Sequence, residues 1–148
     1  MLLNIAIVLV TFFIMEFVAW ATHKYIMHGL LWFFHRDHHN KDHESWFERN
    51  DFFFLIFAIP GAGFMFYGLY GGVMMPFFYI GLGITLYGMA YFLVHDIFIH
   101  QRFKLFRRTD NTYFRAIRKA HKIHHKHLGK EGGECFGMLL PPLKYFKK

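Results

Sequence analysis

Apolar residues in this chain fall into three long runs, separated by segments rich in charge and histidine. The runs cover residues 2–22, 52–70 and 73–94, and the polar segments cover residues 23–51 and 95–148. Each run approaches the roughly 20 residues that a helix needs to cross a hydrocarbon core of about 30 Å. The pattern predicts an all-α integral membrane protein with about three transmembrane helices and a histidine-rich helical cap.

Composition supports a membrane location and a single domain over residues 1–148. Hydrophobic residues make up 55% of the chain, and 21 of its 148 residues are phenylalanine, which is excessive for a water-soluble domain of this size. The first run contains Ala19-Trp20-Ala21, which resembles a signal-peptide cleavage site, but no Lys or Arg precedes it. We therefore expect the first run to be retained as a span.

Positive charge is confined to the polar segments and predicts the orientation in the membrane. All 17 Lys and Arg residues lie within residues 24–50 or 102–148, and the net charge is +7. Positively charged loops tend to stay in the cytosol. We therefore expect a multi-pass protein with its N-terminus outside and both histidine-rich segments on the cytosolic side. Because the charges flank the spans, they favour anionic lipid or an acidic partner, and we expect no nucleic acid partner.

Ten of the twelve histidines fall into four motifs with two spacings. The H-x4-H spacing occurs at His23/His28 and His95/His100, and the H-x-x-H-H spacing at His35/His38/His39 and His121/His124/His125. A triplet at i, i+3 and i+4 lies on one helical face, so its imidazoles can converge on one point. Residues i and i+5 lie about 140° apart on a regular helix, so one of each pair must come from a helix end or reach a second centre. The helix that contains the first run can continue to Gly29, and this glycine supplies such an end directly after His28.

Ten imidazoles exceed the four to six ligands that one metal ion accepts, so the motifs favour two metal ions. Imidazole suits zinc, copper, iron and nickel, and the ligand type alone does not name the metal. A pH sensor is a weaker alternative because it needs no repeated spacing, and a bis-histidine haem protein is weaker because its ligands should face each other from inside the spans. His43 and His127 lie outside the motifs and are expected to be solvated or hydrogen-bonded. No catalytic residue beyond the metal ligands is predicted.

Three carboxylates are candidates for orienting these imidazoles through hydrogen bonds. Asp37 and Asp96 lie inside histidine motifs, although either could equally be a solvated charge at the membrane boundary. Glu16 lies within the first span, seven residues before His23 and close to the same helical face. It is either functional or a neutral, hydrogen-bonded residue that contacts another helix.

Two local signals predict helix starts in the polar segments. Asp110 can cap a helix that ends at Gly129. The sequence Ser45-Trp46-Phe47-Glu48 has the capping-box pattern ahead of the second apolar run.

The histidine motifs, together with VHDIFIHQR at 94–102, AHKIHH at 120–125 and GKEGGECFGMLLPPL at 129–143, resemble the bacterial beta-carotene 3-hydroxylases. These enzymes are a branch of the membrane fatty-acid hydroxylase superfamily. The resemblance runs from about residue 11 to residue 143. The histidine motifs indicate the superfamily, whereas the short length, the HDxxxHQR form and the tail indicate the carotenoid branch. The H-x4-H spacing favours hydroxylation over ketolation.

The resemblance implies a non-haem di-iron mono-oxygenase that uses O2 and electrons from reduced ferredoxin. Its substrate would be beta-carotene from the bilayer of the bacterial inner membrane, converted through beta-cryptoxanthin to zeaxanthin. The implied ligands of the two irons are the ten motif histidines: His23, His28, His35, His38, His39, His95, His100, His121, His124 and His125.

The alternatives are a fatty-acid or sterol hydroxylase or desaturase of the same superfamily and, in another class, a metal transporter or sensor. The basic residues Arg102, Lys104, Arg107 and Arg108 either help to dock an acidic ferredoxin or attract anionic lipid.

Overall fold

The computed structural model describes residues 1–40, 44–71 and 75–147, and these residues form helices joined by loops without a β-strand. We label the α-helices α1 to α5 and the two π-helical segments π1 and π2. In chain order the elements are α1 (Leu2–Ala21), π1 (Thr22–Leu30), α2 (Trp32–Asn40), a 3-10 turn (Arg49–Phe52), α3 (Phe53–Tyr70), α4 (Met75–Phe92), π2 (Leu93–Ile99), α5 (Thr112–His124) and a 3-10 turn (Leu143–Phe146).

Three of these helices are long and apolar enough to cross a membrane, which confirms the prediction of an all-α membrane protein. They cover Leu2–Leu30, Arg49–Tyr70 and Met75–Ile99, with mean hydropathies of 2.4, 1.9 and 1.7. The first and third spans are longer than the apolar runs because π1 and π2 extend them, and π1 is kinked at Gly29, where the backbone leaves the helical conformation. The start of the predicted third span, at residues 73–74, lies outside the described residues.

The spans contact one another through small residues. A Cβ atom at Gly81 of α4 would lie 2.5 Å from the carbonyl oxygen of Gly61 in α3. A Cβ atom at Gly83 would lie 2.8 Å from the carbonyl oxygen of Val8 in α1. Such close backbone contact is typical of helix packing in lipid. The resulting bundle brings the C-terminal ends of α1 and α4 and the N-terminal end of α3 to the same side.

Both predicted helix starts are wrong by a few residues. The Asn111 side chain, and not Asp110, caps α5 by accepting hydrogen bonds from the backbone N–H groups of Tyr113 and Phe114, at 3.0 and 3.2 Å. This helix ends at His124 and not at Gly129. The predicted capping box began at Ser45 and ended at Glu48. In the structure the capping box before α3 begins at Glu48 and ends at Asp51.

Candidate metal centre

The ten motif histidines form two adjacent clusters at the end of the bundle where π1 and π2 lie. The first cluster consists of His23, His28, His35, His39 and His124, all of which are buried. The second cluster contains His38, His95, His100 and His121, and we include His125, whose Nε2 atom lies 2.9 Å from that of His121. Within each group of four or five residues, the facing nitrogen atoms all lie within 4.8 Å of one another.

Each H-x-x-H-H triplet is divided between the clusters, so the prediction that three imidazoles converge on one point is wrong. In α2, His35 and His39 enter the first cluster and His38 enters the second. In α5, His121 and His125 belong to the second cluster and His124 to the first. Residues i+3 and i+4 differ by about 100° around a helix, so they lie on opposite sides of residue i and can point to different centres.

Each H-x4-H pair supplies both of its histidines to one cluster, so the alternative of a second centre for one histidine of each pair is wrong. The pairs lie in π1 and π2, where the backbone N–H of His100 donates to the carbonyl of His95 at 2.8 Å. This i to i+5 hydrogen bond is that of a π-helix, a conformation often found at functional sites. In π2 the wider turn replaces the helix end that a regular helix would require, whereas in π1 the backbone leaves the helical conformation at Gly29, directly after His28.

Outward-facing hydrogen bonds fix the imidazoles of the first cluster. The Nδ1 atoms of four histidines donate to backbone carbonyls at 2.8–3.1 Å, and that of the fifth donates to a side-chain amide oxygen at 2.6 Å. The pairs are His23 with Phe136, His28 with Lys130, His39 with His127, His124 with Glu134, and His35 with Oδ1 of Asn50. The segment that follows α5 therefore surrounds this cluster with carbonyl groups.

Two imidazoles of the second cluster donate to carboxylates instead. The Nδ1 atom of His38 lies 2.6 Å from Oε2 of Glu48, and that of His95 lies 3.1 Å from Oδ2 of Asp96. Of the two alternatives left open for Asp96, contact with an imidazole and a solvated charge, the structure has the contact with an imidazole. Glu48 was not identified as a site residue from the sequence, because its capping-box pattern gave it a different role.

These hydrogen bonds leave the Nε2 atoms as bare acceptors that face one another. A carbonyl oxygen cannot donate, so His28 and His124 must each carry their proton on Nδ1. Their Nε2 atoms nevertheless lie 3.2 Å apart, and five other pairs of Nε2 atoms in the two clusters lie 2.8–3.2 Å apart. Two lone pairs at this distance repel unless a cation lies between them. Cis ligands at a metal–nitrogen distance of about 2.1 Å lie about 3.0 Å apart, so the donor set fits a metal ion.

Burial keeps these imidazoles in the neutral form that binds a metal. Removal from water lowers the pKa of His39 to about 4 and that of His124 to about 3. It also lowers the pKa values of His35, His38 and His121 well below the usual 6.5, with neighbouring histidines adding to the effect. Protons therefore compete weakly for these nitrogen atoms at neutral pH.

Glu16 acts on the site through the C-terminal segment, and its hydrogen-bond partners among the described residues are backbone N–H groups and a tyrosine hydroxyl. Its Oε1 atom accepts hydrogen bonds from the backbone N–H groups of Met138, Leu139 and Leu140 at 2.9–3.1 Å. Its Oε2 atom accepts a hydrogen bond of 2.7 Å from the hydroxyl of Tyr87 in α4. All four partners are donors, so the carboxylate serves as an acceptor that anchors the C-terminal segment to α1 and α4.

The remaining sequence candidates occupy different positions around the clusters. Asp37 is buried, with Oδ2 accepting from the backbone N–H of Arg49 at 2.7 Å, so within the described part of the chain it supports the loop and not an imidazole. The ring of His127 is exposed, as expected, although its carbonyl contacts His39. His43 lies outside the described residues. The guanidinium of Arg102 contacts three carboxylates, which removes this residue from any basic docking surface.

Comparison with known proteins gives concordant results. The model of the fatty acid hydroxylase family matches residues 8–146. A beta-carotene hydroxylase of Pantoea ananas is 40% identical over 139 residues, covering 94% of this chain and 78% of that protein. A beta-carotene hydroxylase of Pseudescherichia vulneris is 39% identical over 139 residues, covering 94% of this chain and 77% of that protein.

A plant protein is similar over a smaller part of its length. The chloroplastic beta-carotene 3-hydroxylase of Gentiana lutea is 41% identical over 130 residues, covering 86% of this chain and 40% of that protein. No solved structure matches the chain. The match to the family model covers nearly the whole sequence, and this chain therefore belongs to the fatty acid hydroxylase family.

Proposed function

We propose that this protein is a membrane beta-carotene 3-hydroxylase with a single domain over residues 1–148. It uses O2 to place a hydroxyl group at C3 of each beta-ionone ring and converts beta-carotene through beta-cryptoxanthin to zeaxanthin. The observation that carries the proposal is the pair of all-imidazole clusters at the ends of lipid-spanning helices. The similarity to bacterial and plant beta-carotene hydroxylases supports the choice of substrate.

The two clusters would hold two non-haem iron ions, with five imidazoles for each ion. Iron bound there supplies the O2 activation that hydroxylation of an unactivated ring carbon requires. The protein holds seven of the ten imidazoles in one tautomer through Nδ1 hydrogen bonds, so that their Nε2 atoms remain available. The same hydrogen bonds fix the ring orientations before any ion binds, which reduces the reorganisation needed on binding.

The location of the clusters suits a substrate that is dissolved in the membrane. With 20 residues, α1 is about 30 Å long and covers the hydrocarbon core, so π1 lies at the membrane surface. A carotenoid can present its end ring there while its polyene chain remains in lipid. We further propose that this surface is the cytosolic face of the bacterial inner membrane, with the N-terminus outside, because all Lys and Arg residues flank it.

Reduced ferredoxin is the proposed electron donor, and Lys104, Arg107 and Arg108 are its proposed contacts. All three residues are exposed in the loop between π2 and α5. Neutralising them should raise the KM for reduced ferredoxin and weaken its dependence on salt. An unchanged KM and salt dependence would instead assign these residues to the attraction of anionic lipid.

The test of the proposed function is product analysis in bacteria that accumulate beta-carotene and contain ferredoxin. The intact chain should yield zeaxanthin, identified by chromatography with mass detection. His124→Ala, which removes an imidazole of the first cluster, should leave beta-carotene unconverted. His127→Ala, which replaces an exposed ring and keeps the backbone carbonyl, is the matched control and should retain activity.

Unchanged beta-carotene with the intact chain present in the membrane would overturn the substrate assignment. Analysis of fatty acids and sterols in the same cells would then test the lipid hydroxylase or desaturase alternative. Metal uptake without any O2-dependent product would favour a transporter or sensor.

A further inference from the structure

The two clusters contain similar ligands but differ in the charge of the groups that hold them. Every acceptor of an Nδ1 hydrogen bond in the first cluster is neutral: four backbone carbonyls and one amide oxygen. In the second cluster, His38 and His95 donate to the carboxylates of Glu48 and Asp96. A carboxylate partner raises the basicity of a metal-ligating imidazole more than a neutral oxygen does.

A single guanidinium joins the two carboxylates of the second cluster. Arg102 Nη2 lies 3.5 Å from Oε2 of Glu48, and Arg102 Nε lies 3.3 Å from Oδ1 of Asp96. A third contact, of 2.6 Å, joins Arg102 Nη2 to Oδ1 of Asp51, whose other oxygen accepts from the backbone N–H of Glu48. The side chain of Arg102 is only 14% exposed. The arginine therefore links the loop before α3 to π2 at the point where both contact the cluster.

We propose that Arg102 is a positioning residue that holds Glu48 and Asp96 against His38 and His95, so that the second cluster binds its metal ion more tightly than the first. This inference rests on the proposed function, since it requires that the clusters bind metal ions. Three carboxylates surround one guanidinium, and the excess negative charge attracts a cation in a partly buried setting where water screens little.

The geometry of the guanidinium explains why this position requires arginine. Its planar group contacts carboxylates from two separate parts of the chain at the same time. The ammonium of lysine is a point charge and cannot reproduce contacts from both Nε and Nη2. Arg102→Lys therefore keeps the positive charge but releases at least one carboxylate.

The test is a titration of metal-free, full-length protein in detergent with Co²⁺, followed by calorimetry and by the visible absorption of the bound ion. The intact protein should bind two ions with unequal affinity. Glu48→Gln keeps an oxygen that can accept from His38 but removes the charge, and it should weaken the tighter step by about 10-fold to 100-fold. Asp96→Asn and Arg102→Lys should weaken the same step and alter its absorption spectrum.

Two control variants make the test specific to the second cluster. Asn50→Ala removes the acceptor of His35 in the first cluster and should weaken only the looser step. Glu131→Gln removes a carboxylate that is exposed and should change neither step.

The inference is overturned if the two steps have equal affinity in the intact protein, or if Glu48→Gln and Arg102→Lys leave the tighter step unchanged or weaken both steps alike. An intact protein that binds no Co²⁺ would instead overturn the proposed metal function itself. The two failures are therefore distinguishable in one experiment.

Discussion

Replacing Glu16 by alanine is expected to release the C-terminal segment and to weaken metal binding at the first cluster. One oxygen of Glu16 accepts from three successive backbone N–H groups, at residues 138–140, and the other accepts from Tyr87. Two of these four hydrogen bonds, those from Met138 and Tyr87, are fully buried, and each buried donor left without a partner costs about 1–3 kcal/mol, so Glu16→Ala should cost at least about 2–6 kcal/mol in the free energy of unfolding. Phe136, two residues before this contact, supplies the carbonyl that orients His23.

Two further variants divide this effect into its parts. Glu16→Gln keeps an oxygen for the three backbone N–H groups and should cost only about 1 kcal/mol. Tyr87→Phe removes the hydroxyl contact alone and should have a similarly small effect. The measurements are the Tm in detergent and the metal content per chain after gel filtration. We expect Glu16→Ala to lower both clearly and the two milder variants to retain metal.

The reasoning would be refuted if Glu16→Ala matched the intact protein in Tm and metal content. It would also be refuted if Glu16→Gln were as damaging as Glu16→Ala, because the negative charge, and not the set of hydrogen bonds, would then be the important property. Glu44→Ala, at an exposed carboxylate, is the control for loss of a glutamate as such.

Two other predictions follow from burial and packing. Burial lowers the pKa of His39 to about 4 and that of His124 to about 3, whereas the pKa of histidine in the unfolded chain is about 6.5. Below pH 6.5 the unfolded state therefore binds more protons than the folded state, and acid destabilises the fold. The Tm of the metal-free protein should therefore fall as the pH is lowered from 7.5 to 5. A Tm that stayed constant or rose over this change would contradict these pKa values. Gly81→Ala should cost about 1–3 kcal/mol, because its Cβ would lie 2.5 Å from the carbonyl oxygen of Gly61 and force α3 and α4 apart. Gly88→Ala on the same helix meets no atom within 4 Å and should leave the Tm unchanged or slightly higher, and equal effects of the two substitutions would contradict the packing argument.

The membrane fold could be predicted because run length and charge are properties of the sequence itself. The three apolar runs identified the spans, and a continuation of the first helix to Gly29 was also predicted, but the π-helical form of the extensions was not. The extensions are π1 and π2, where apolar and polar residues mix and hydropathy no longer identifies a helix. The spacing of His95 and His100 did contain the relevant signal, because i and i+5 share one side only when the helical turn is widened.

The groups that hold the imidazoles were mostly beyond prediction. Any residue can supply a carbonyl, so nothing in the side chains of Lys130, Glu134 or Phe136 identifies them as acceptors for histidine. Glu48 did have a signal, because it is an acidic residue in the short loop that follows the second motif. It was assigned to a helix start, and the structure gives it both tasks: it forms a capping box with Asp51 and accepts from His38.

The ligand sets of the two clusters are assembled by one repeated rule. Each cluster takes both histidines of one H-x4-H pair, the i and i+4 histidines of one triplet, and the i+3 histidine of the other triplet. His38 and His124 are the i+3 histidines that enter the cluster of the other triplet. Each of α2 and α5 therefore contributes to both clusters, and a shift of either helix must disturb both. The rule makes the first layer of ligands nearly equivalent. Any difference in how the clusters bind or use a metal ion must therefore come from the parts of the chain that do not repeat: the carbonyls that follow α5 on one side, and Glu48, Asp96 and Arg102 on the other.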